Sequence, residues 1–445
     1  MNLDSPQGPV AVPTVQYGTL YGQEEINTAL QSEEPLSVVP SQDTNGHGTY
    51  VASVAAGSMN GNGTFSGGAP RCDIAMVKLK EAKPYLKNYY YANTNESVYS
   101  ESDILTAISY LDQLANERNQ PLVLCVALGT SAGSHGGNSP LSLYLNIVAT
   151  RGNRCVVCAT GNEASDQHHF YGNITNANEY LEVEVEVENE MAGYTMELWA
   201  VAPQLYEVAL VSHTGEVFPR TAAQRGVSQE YRFIIEETTV SIDYRTPESG
   251  TGNPLIFFHF VEPAVGLWRI RVYLRNFATG SFHMYLPMQS MLEGNVFFLR
   301  SNPDTTIVSP ANAVRVISVG GYNEANDSLY LSSGRGYTLD GYIKPDFVAP
   351  AVNVSGAIAG TSARAEFLQI AERTGTSASA AFASAAAALY MEWSVVDGQE
   401  TLVNTTQVKN FLIRGAIQKP DELYPNRQWG YGIMNLYQAF ERLRQ

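Results

Sequence analysis

Two kinds of hydrophobic pattern share this chain of 445 residues. Through residues 1–172, short continuous apolar runs such as "PLVLCVALG" and "CVVCATGN" alternate with helically spaced segments, "SDILTAISYLDQLANER" and "SPLSLYLNIVATRG". "CDIAMVKLK" (72–80) reads as a further strand, and the first of those helices has Ser102 or Asp103 at its N-cap. Apolar strands alternating with helices predict a parallel sheet buried on both faces.

From 173 to 303 the period shortens to two. In "YLEVEVEVE", Leu181, Val183, Val185 and Val187 share one face and glutamates the other. In "LWRIRVYLR", Trp268, Ile270, Val272 and Leu274 oppose Leu267, Arg269, Arg271 and Tyr273. The turn signals "HTGE" and "ATGS" separate further strands, including "TTVSIDYR" and "SFHMYLPM". This alternation predicts antiparallel strands with one buried face, packed as a small β-sandwich. After 304 the helical pattern returns, in "GTSASAAFASAAAALYMEW", "VKNFLIRGAI" and "GIMNLYQAFERL". The expected fold is α/β: a parallel sheet with helices on both faces, encoded by 1–172 and 304–445 and interrupted by an all-β insert at 173–303. A chain this long exceeds one ordinary core, which agrees with that division.

Charge narrows the function. The formal net charge is −17, a surface that repels phosphate backbones and argues against nucleic-acid partners. No apolar run approaches the roughly 18–20 residues of a membrane span. The first residues, "MNLDSPQGPVAVPTVQYG", lack the basic start and apolar centre of a signal peptide. The four cysteines, Cys72, Cys125, Cys155 and Cys158, are too few for a disulfide framework. Cys155 and Cys158 have CxxC spacing, but on a strand they point to opposite faces, so no metal site is expected from them.

Three short stretches carry chemistry. His47 lies in "DTNGHGTYVASVAAG", flanked by Gly46 and Gly48 and followed by small residues at Ala52, Ser53, Ala55, Ala56 and Gly57. Such a helix can lie close to a sheet, and the glycines leave room beside the imidazole; a structural histidine fits the residues equally well. Asn162, in "VVCATGNEA", follows glycine at the carboxyl end of a buried strand, where open α/β sheets place ligands. It can serve as an oxyanion donor or as a turn residue. Ser377 falls at the start of the Ser/Ala helix, where Oγ is exposed and its N–H is free for an anion. Ser379 and Ser384 fall inside that helix and are expected to pack or bond back to carbonyls.

Taken together, "NGHGTYVASVAAG", "ATGNEA" and "GTSASAAFASAAAALY" resemble the His, oxyanion-Asn and nucleophile-Ser blocks of the subtilisin-like serine proteases. "SGGAPRCDIAMVKL", "ALGTSAGS" and "KPDFVAPAVNV" resemble supporting blocks of that family. The β insert, the ending "NRQWGYGIMNLYQAF" and Ala381 where most of the family has proline are similar to the clostridial germination proteases called Csp, which carry a jelly-roll insert there. The resemblance implies a serine endopeptidase acting through an acyl-enzyme, with no metal or organic cofactor. Ser377 would be nucleophile and His47 general base, with Asn162 and the Ser377 N–H as oxyanion hole. Ala127, Leu128 and Gly129 would offer backbone to a protein or peptide substrate. A propeptide, a germination role and a spore or extracellular setting are implied in the same way.

The family's triad aspartate is not evident. Before His47 stand only Asp4 and Asp43. Asp43 matches a loop acid that the family does not use in catalysis, and Asp4 follows no apolar strand. The expectation is that the chain begins shortly after its aspartate, with the first strand and any propeptide upstream of "NLDSPQG". Loss of a triad aspartate lowers turnover roughly ten-thousand-fold. The alternative is a pseudoprotease that serves as a binding or signalling module.

Overall fold

The computed structural model describes residues 1–4, 17–60, 63–92, 95–176, 179–223, 226, 228–360, 369–400 and 402–444. The first part contributes helices α1 (Gln23–Gln31), α2 (Pro35–Val38), α3 (His47–Ala56), α4 (Pro84–Tyr89), α5 (Glu101–Glu117) and α6 (Pro140–Thr150), with strands β1 (Leu122–Val126) and β2 (Arg154–Ala159). The last part adds β14 (Ile317–Asn323), β15 (Ser328–Leu329), β16 (Phe347–Pro350) and the hairpin β17 (Val354–Ala357) with β18 (Ile370–Arg373). Helices α7 (Thr376–Met391), α8 (Thr405–Gly415) and α9 (Leu436–Glu441) follow. β1, β2, β14 and β16 are parallel neighbours in that order, and β15 folds back on β14.

The sheet is covered on both sides, as its unbroken apolar strands require. Cys155, Val157 and Ala159 face α7, α8 and α9, while Val156 and Cys158 face α6 and Ile108 of α5. The two cysteines of the CxxC spacing therefore lie on opposite faces, both unpaired. α7 is small on every side because it is enclosed on two. Ala380, Ala383, Ala386 and Ala387 meet the sheet, and Ala378 and Ala381 meet Tyr50, Val51 and Val54 of α3. Leucines in that gap would push α3 and the sheet apart.

The middle of the chain forms two antiparallel sheets. Their strands are β3 (His169–Ile174), β4 (Tyr180–Val187), β5 (Gly193–Ala200), β6 (Tyr206–Val211), β7 (Val217–Thr221), β8 (Ser228–Arg232), β9 (Thr239–Arg245), β10 (Leu255–Val261), β11 (Gly266–Leu274), β12 (Gly280–Tyr285) and β13 (Val296–Phe298). One sheet runs β3-β12-β5-β10-β9-β8 and the other β13-β4-β11-β6-β7. Inward residues of both build one apolar core, with Val183, Val185 and Val187 opposite Trp268, Ile270 and Val272 on the paired strands β4 and β11. Outward, Glu182 meets Arg271 at 3.1 Å, so the alternating glutamates and arginines answer each other across the pair.

Three expectations shift. No strand forms over 72–80: among the described residues only Lys78 bridges, in parallel, to Asn2, and one such contact does not make a ladder. α5 begins at Glu101 with Ser100 as its cap, not Ser102 or Asp103, which places Glu101 and Asp103 at the positive end of the helix dipole. The two-sheet unit begins at His169, ahead of the boundary expected at 173.

Candidate active site

α3 starts on a built turn. Gly46 precedes it at φ +83°, a left-handed conformation that favours glycine, and a Cβ there would stand 3.2 Å from the Arg373 guanidinium. Asp43 closes the turn: Oδ1 accepts from the N–H groups of Asn45 (3.1 Å) and Gly46 (2.7 Å), and Oδ2 from the N–H (3.0 Å) and hydroxyl (2.6 Å) of Thr49. Burial alone would raise the Asp43 pKa, but those bonds from Thr49, Gly46 and Asn45 bring it below the usual carboxylate range. Asp43 is thus occupied in satisfying the free N–H groups at the helix start. Among the described residues, Asp43 makes these bonds to Asn45, Gly46 and Thr49 and none to the imidazole.

His47, the first residue of α3, points its Nε2 at Ser377 Oγ, 3.0 Å away. The contact joins residues 330 positions apart in sequence. Burial, and then repulsion by Arg373, lowers the His47 pKa from its ordinary value, with Asp43 and Glu96 acting the other way. The ring is therefore neutral at neutral pH and able to take a proton. Ser377 Oγ also lies 3.3 Å from the carbonyl of Ala127.

Thr376 holds Asn162 in place. Its N–H donates to Asn162 Oδ1 at 3.0 Å, and its hydroxyl bonds both the N–H (3.1 Å) and the carbonyl (3.2 Å) of Gly161. Occupying Oδ1 leaves the amide's donor end, Nδ2, for another acceptor. The Ser377 N–H, at the second position of α7, has no intrahelical partner. Two donors and one hydroxyl thus come together at the mouth of α7.

Ala127, Leu128 and Gly129 continue the chain beyond Val126, the last residue of β1, and the Ala127 carbonyl lies beside Ser377 Oγ. Among the described residues, none of their N–H groups donates a hydrogen bond. Gly129 is required by close approach: a Cβ would stand 2.5 Å from Val308 and 2.7 Å from the Ser309 carbonyl. Ser379 bonds the Ala349 carbonyl at 3.0 Å and Ser384 the Ala380 carbonyl at 2.8 Å, as interior helix serines do.

Of the two early aspartates neither is bonded to the imidazole: Asp43 caps α3, and Asp4 stands 3.9 Å from Lys78 Nζ. Residues 5–16, which include the stretch after "NLD", lie outside the described residues. Sequence reasoning missed Arg373 and Thr376, since neither has chemistry of its own and each acts through a neighbour brought close by folding. Among the described residues no group of three or more His, Cys, Asp or Glu is placed to hold a metal ion, and no helix is long and apolar enough to cross a membrane.

A serine and a histidine presented by two helices at the carboxyl edge of a parallel sheet, with an amide beside them, define a serine hydrolase site. The chain belongs to the subtilase family of peptidases, whose model matches residues 23–197 and 283–432. The unmatched stretch between them falls within the two antiparallel sheets. The structure is similar to that of the Clostridium perfringens CspB protease, with 28% identity and a TM-score of 0.85 over 96% of this chain and 86% of that one. Two Arabidopsis thaliana proteins, subtilisin-like proteases SBT3.6 and SBT3.3, are 31% identical over 118 residues and 34% identical over 90 residues. Those alignments cover 25% and 18% of this chain, which spans only 14% and 11% of the length of these curated relatives.

Proposed function

We propose that this chain is a serine endopeptidase in which Ser377 is the nucleophile and His47 the general base. The 3.0 Å contact between His47 Nε2 and Ser377 Oγ carries the assignment. Oγ attacks the scissile carbonyl carbon while its proton passes to Nε2. The Asn162 amide and the Ser377 N–H receive the oxyanion, and collapse expels the amine, which takes the proton back from His47. Water then repeats the sequence on the acyl-enzyme and frees Ser377. Ala127, Leu128 and Gly129 hold the peptide substrate as an added strand, through N–H groups that donate to no described residue.

Residues 169–303 serve in this scheme as an inserted jelly-roll-like unit within a catalytic domain formed by the chain on either side, as the Csp resemblance suggests. A propeptide, a germination role and a spore or extracellular setting rest on that resemblance alone. A second reading, a pseudoprotease acting as a binding module, draws on one observation: no described carboxylate is bonded to His47. A His–Ser pair without that group would turn over roughly ten-thousand-fold more slowly than a full triad.

Intact mass after treatment with a fluorophosphonate separates the two. A single adduct on the chain, absent from Ser377→Ala, is the expected result and means that base and oxyanion hole are assembled. A folded chain that takes no adduct supports the binding module.

A further inference from the structure

Arg373 is the last residue of β18, and Ser377 follows four positions later. Its backbone is fixed to α3. The Tyr50 hydroxyl bonds the carbonyl of its strand partner Val354 at 2.9 Å and faces its own carbonyl at 3.5 Å. The side chain lies over the same helix, with the guanidinium carbon 5.4 Å from the centre of the Tyr50 ring. A guanidinium nitrogen stands 3.2 Å from where a Gly46 Cβ would be, one residue before His47. The charge is close enough to repel a proton on His47, which places it beside the His47–Ser377 pair.

This half-buried cation lacks an acid among the described residues. Arg154, Arg220 and Arg271 each meet a carboxylate within 3.1 Å, whereas no described carboxylate forms such a pair with Arg373. Asp43 uses both oxygens on Asn45, Gly46 and Thr49. Glu372 precedes Arg373 on the same strand and therefore points to the other face. The acyl half of a peptide runs along Ala127–Gly129 in the proteolytic reading. The leaving amine has to come within hydrogen-bond reach of His47 Nε2, so the first residue of the leaving half lies on the α3 side, where Arg373 stands.

We propose that Arg373 is a specificity-determining residue: it receives the side-chain carboxylate of Asp or Glu immediately after the scissile bond. A guanidinium offers such a group two parallel N–H donors. The assignment rests on the proteolytic reading above, and acyl transfer tests it at a defined position. The chain is acylated with a p-nitrophenyl ester, and Glu, Gln or Lys amide competes with water for the acyl group. The amine attacks the ester carbonyl, its proton passes through His47 to Ser377 Oγ, and an amide bond replaces the ester. All three amides share one acyl-enzyme, so their ratios do not depend on how much of it forms. Glu amide is expected to capture the acyl group roughly three- to tenfold better than Gln amide, between an exposed and a desolvated ion pair, with Lys amide poorest. Arg373→Gln is expected to abolish the difference, and Arg373→Lys, which keeps the charge and loses the fork, to retain part of it. A merely structural role would weaken capture of all three amides alike. Equal capture of Glu and Gln, or a Glu preference that survives in Arg373→Gln, overturns the proposal. If no acyl-enzyme forms, or the variants fail to fold, Glu-Leu and Gln-Leu amides titrated into the Ser377→Ala chain decide by the same comparison, and equal affinity or no binding overturns it. Fluorophosphonate labelling of the unsubstituted chain reports separately on the catalytic reading.

Discussion

Arg373 adds to burial in setting the pH range over which His47 can act. Its charge helps hold the imidazole pKa below the ordinary value, second only to burial, and a base with a lowered pKa stays neutral further into acid. Arg373→Gln removes the repulsion, so the His47 pKa rises and the acid limb of the labelling rate moves to higher pH. A profile of labelling rate against pH checks this; an unmoved acid limb rules out Arg373 as a contributor. Asp43 makes the opposite kind of case. Asp43→Ala removes four hydrogen bonds at the start of α3 and is expected to cost about 1–2 kcal/mol in urea unfolding, the size of a lost N-cap. The labelling rate of the folded fraction should stay within about tenfold, whereas a triad acid would cost several orders of magnitude. His47, Asn162 and Ser377 were legible in the sequence because their neighbours are informative: glycines, a strand end and a helix start. Arg373 and Thr376 were not, because a charge acting through space and a hydroxyl bracing a turn leave no local pattern.

At the scale of elements, alternation marks the strands wherever one face is buried and the other wet. β4 and β11 follow the sequence because Val183, Val185 and Ile270 have an apolar core to enter and their charged neighbours have each other. The stretch 72–80 has the same apolar look, but pattern alone does not supply a neighbour, and only Asn2 bridges to it among the described residues. α7 gave no amphipathic pattern for a physical reason: packed against both sheet and α3, it has no wide wet face. Volume, not polarity, is what that helix is selected for. Ala381 is fully buried against α3, so Ala381→Leu should destabilise the fold by about 1–3 kcal/mol and widen the gap that sets the His47–Ser377 distance. Urea unfolding measures the first effect and fluorophosphonate labelling the second. An unchanged midpoint together with unchanged labelling would mean the α3–α7 contact is slack.

For the molecule as a whole, the seam between the parallel sheet and the antiparallel unit is made of stacked rings. His135 lies on Tyr285 with centroids 3.8 Å apart, Tyr285 on His169 at 4.6 Å, and His169 Nε2 meets His283 Nδ1 at 2.9 Å. Burial lowers the pKa of His135 and of His283 to about 4, and puts that of His169 well below its ordinary value. Both His135 nitrogens face carbonyls, Ile307 at 2.9 Å and Ser131 at 2.8 Å, and this pulls the other way; burial outweighs it. Around the stack stand Arg427, which repels a charge on His283, and Tyr285, whose hydroxyl donates to the Thr305 carbonyl. The unfolded chain binds protons on these histidines as pH falls through about 6.5, while the folded chain resists until about 4. Stability from the seam is therefore complete above 6.5 and lost on the way down to 4, by about 2 kcal/mol per histidine at pH 5. The urea midpoint should fall between pH 7.5 and pH 5 more steeply for the natural chain than for His135→Gln, which cannot take up a proton. Equal slopes would show that His135 takes up its proton over the same pH range in the folded and the unfolded chain. In that case its two carbonyl contacts offset its burial at the joint between the parallel sheet and the antiparallel unit.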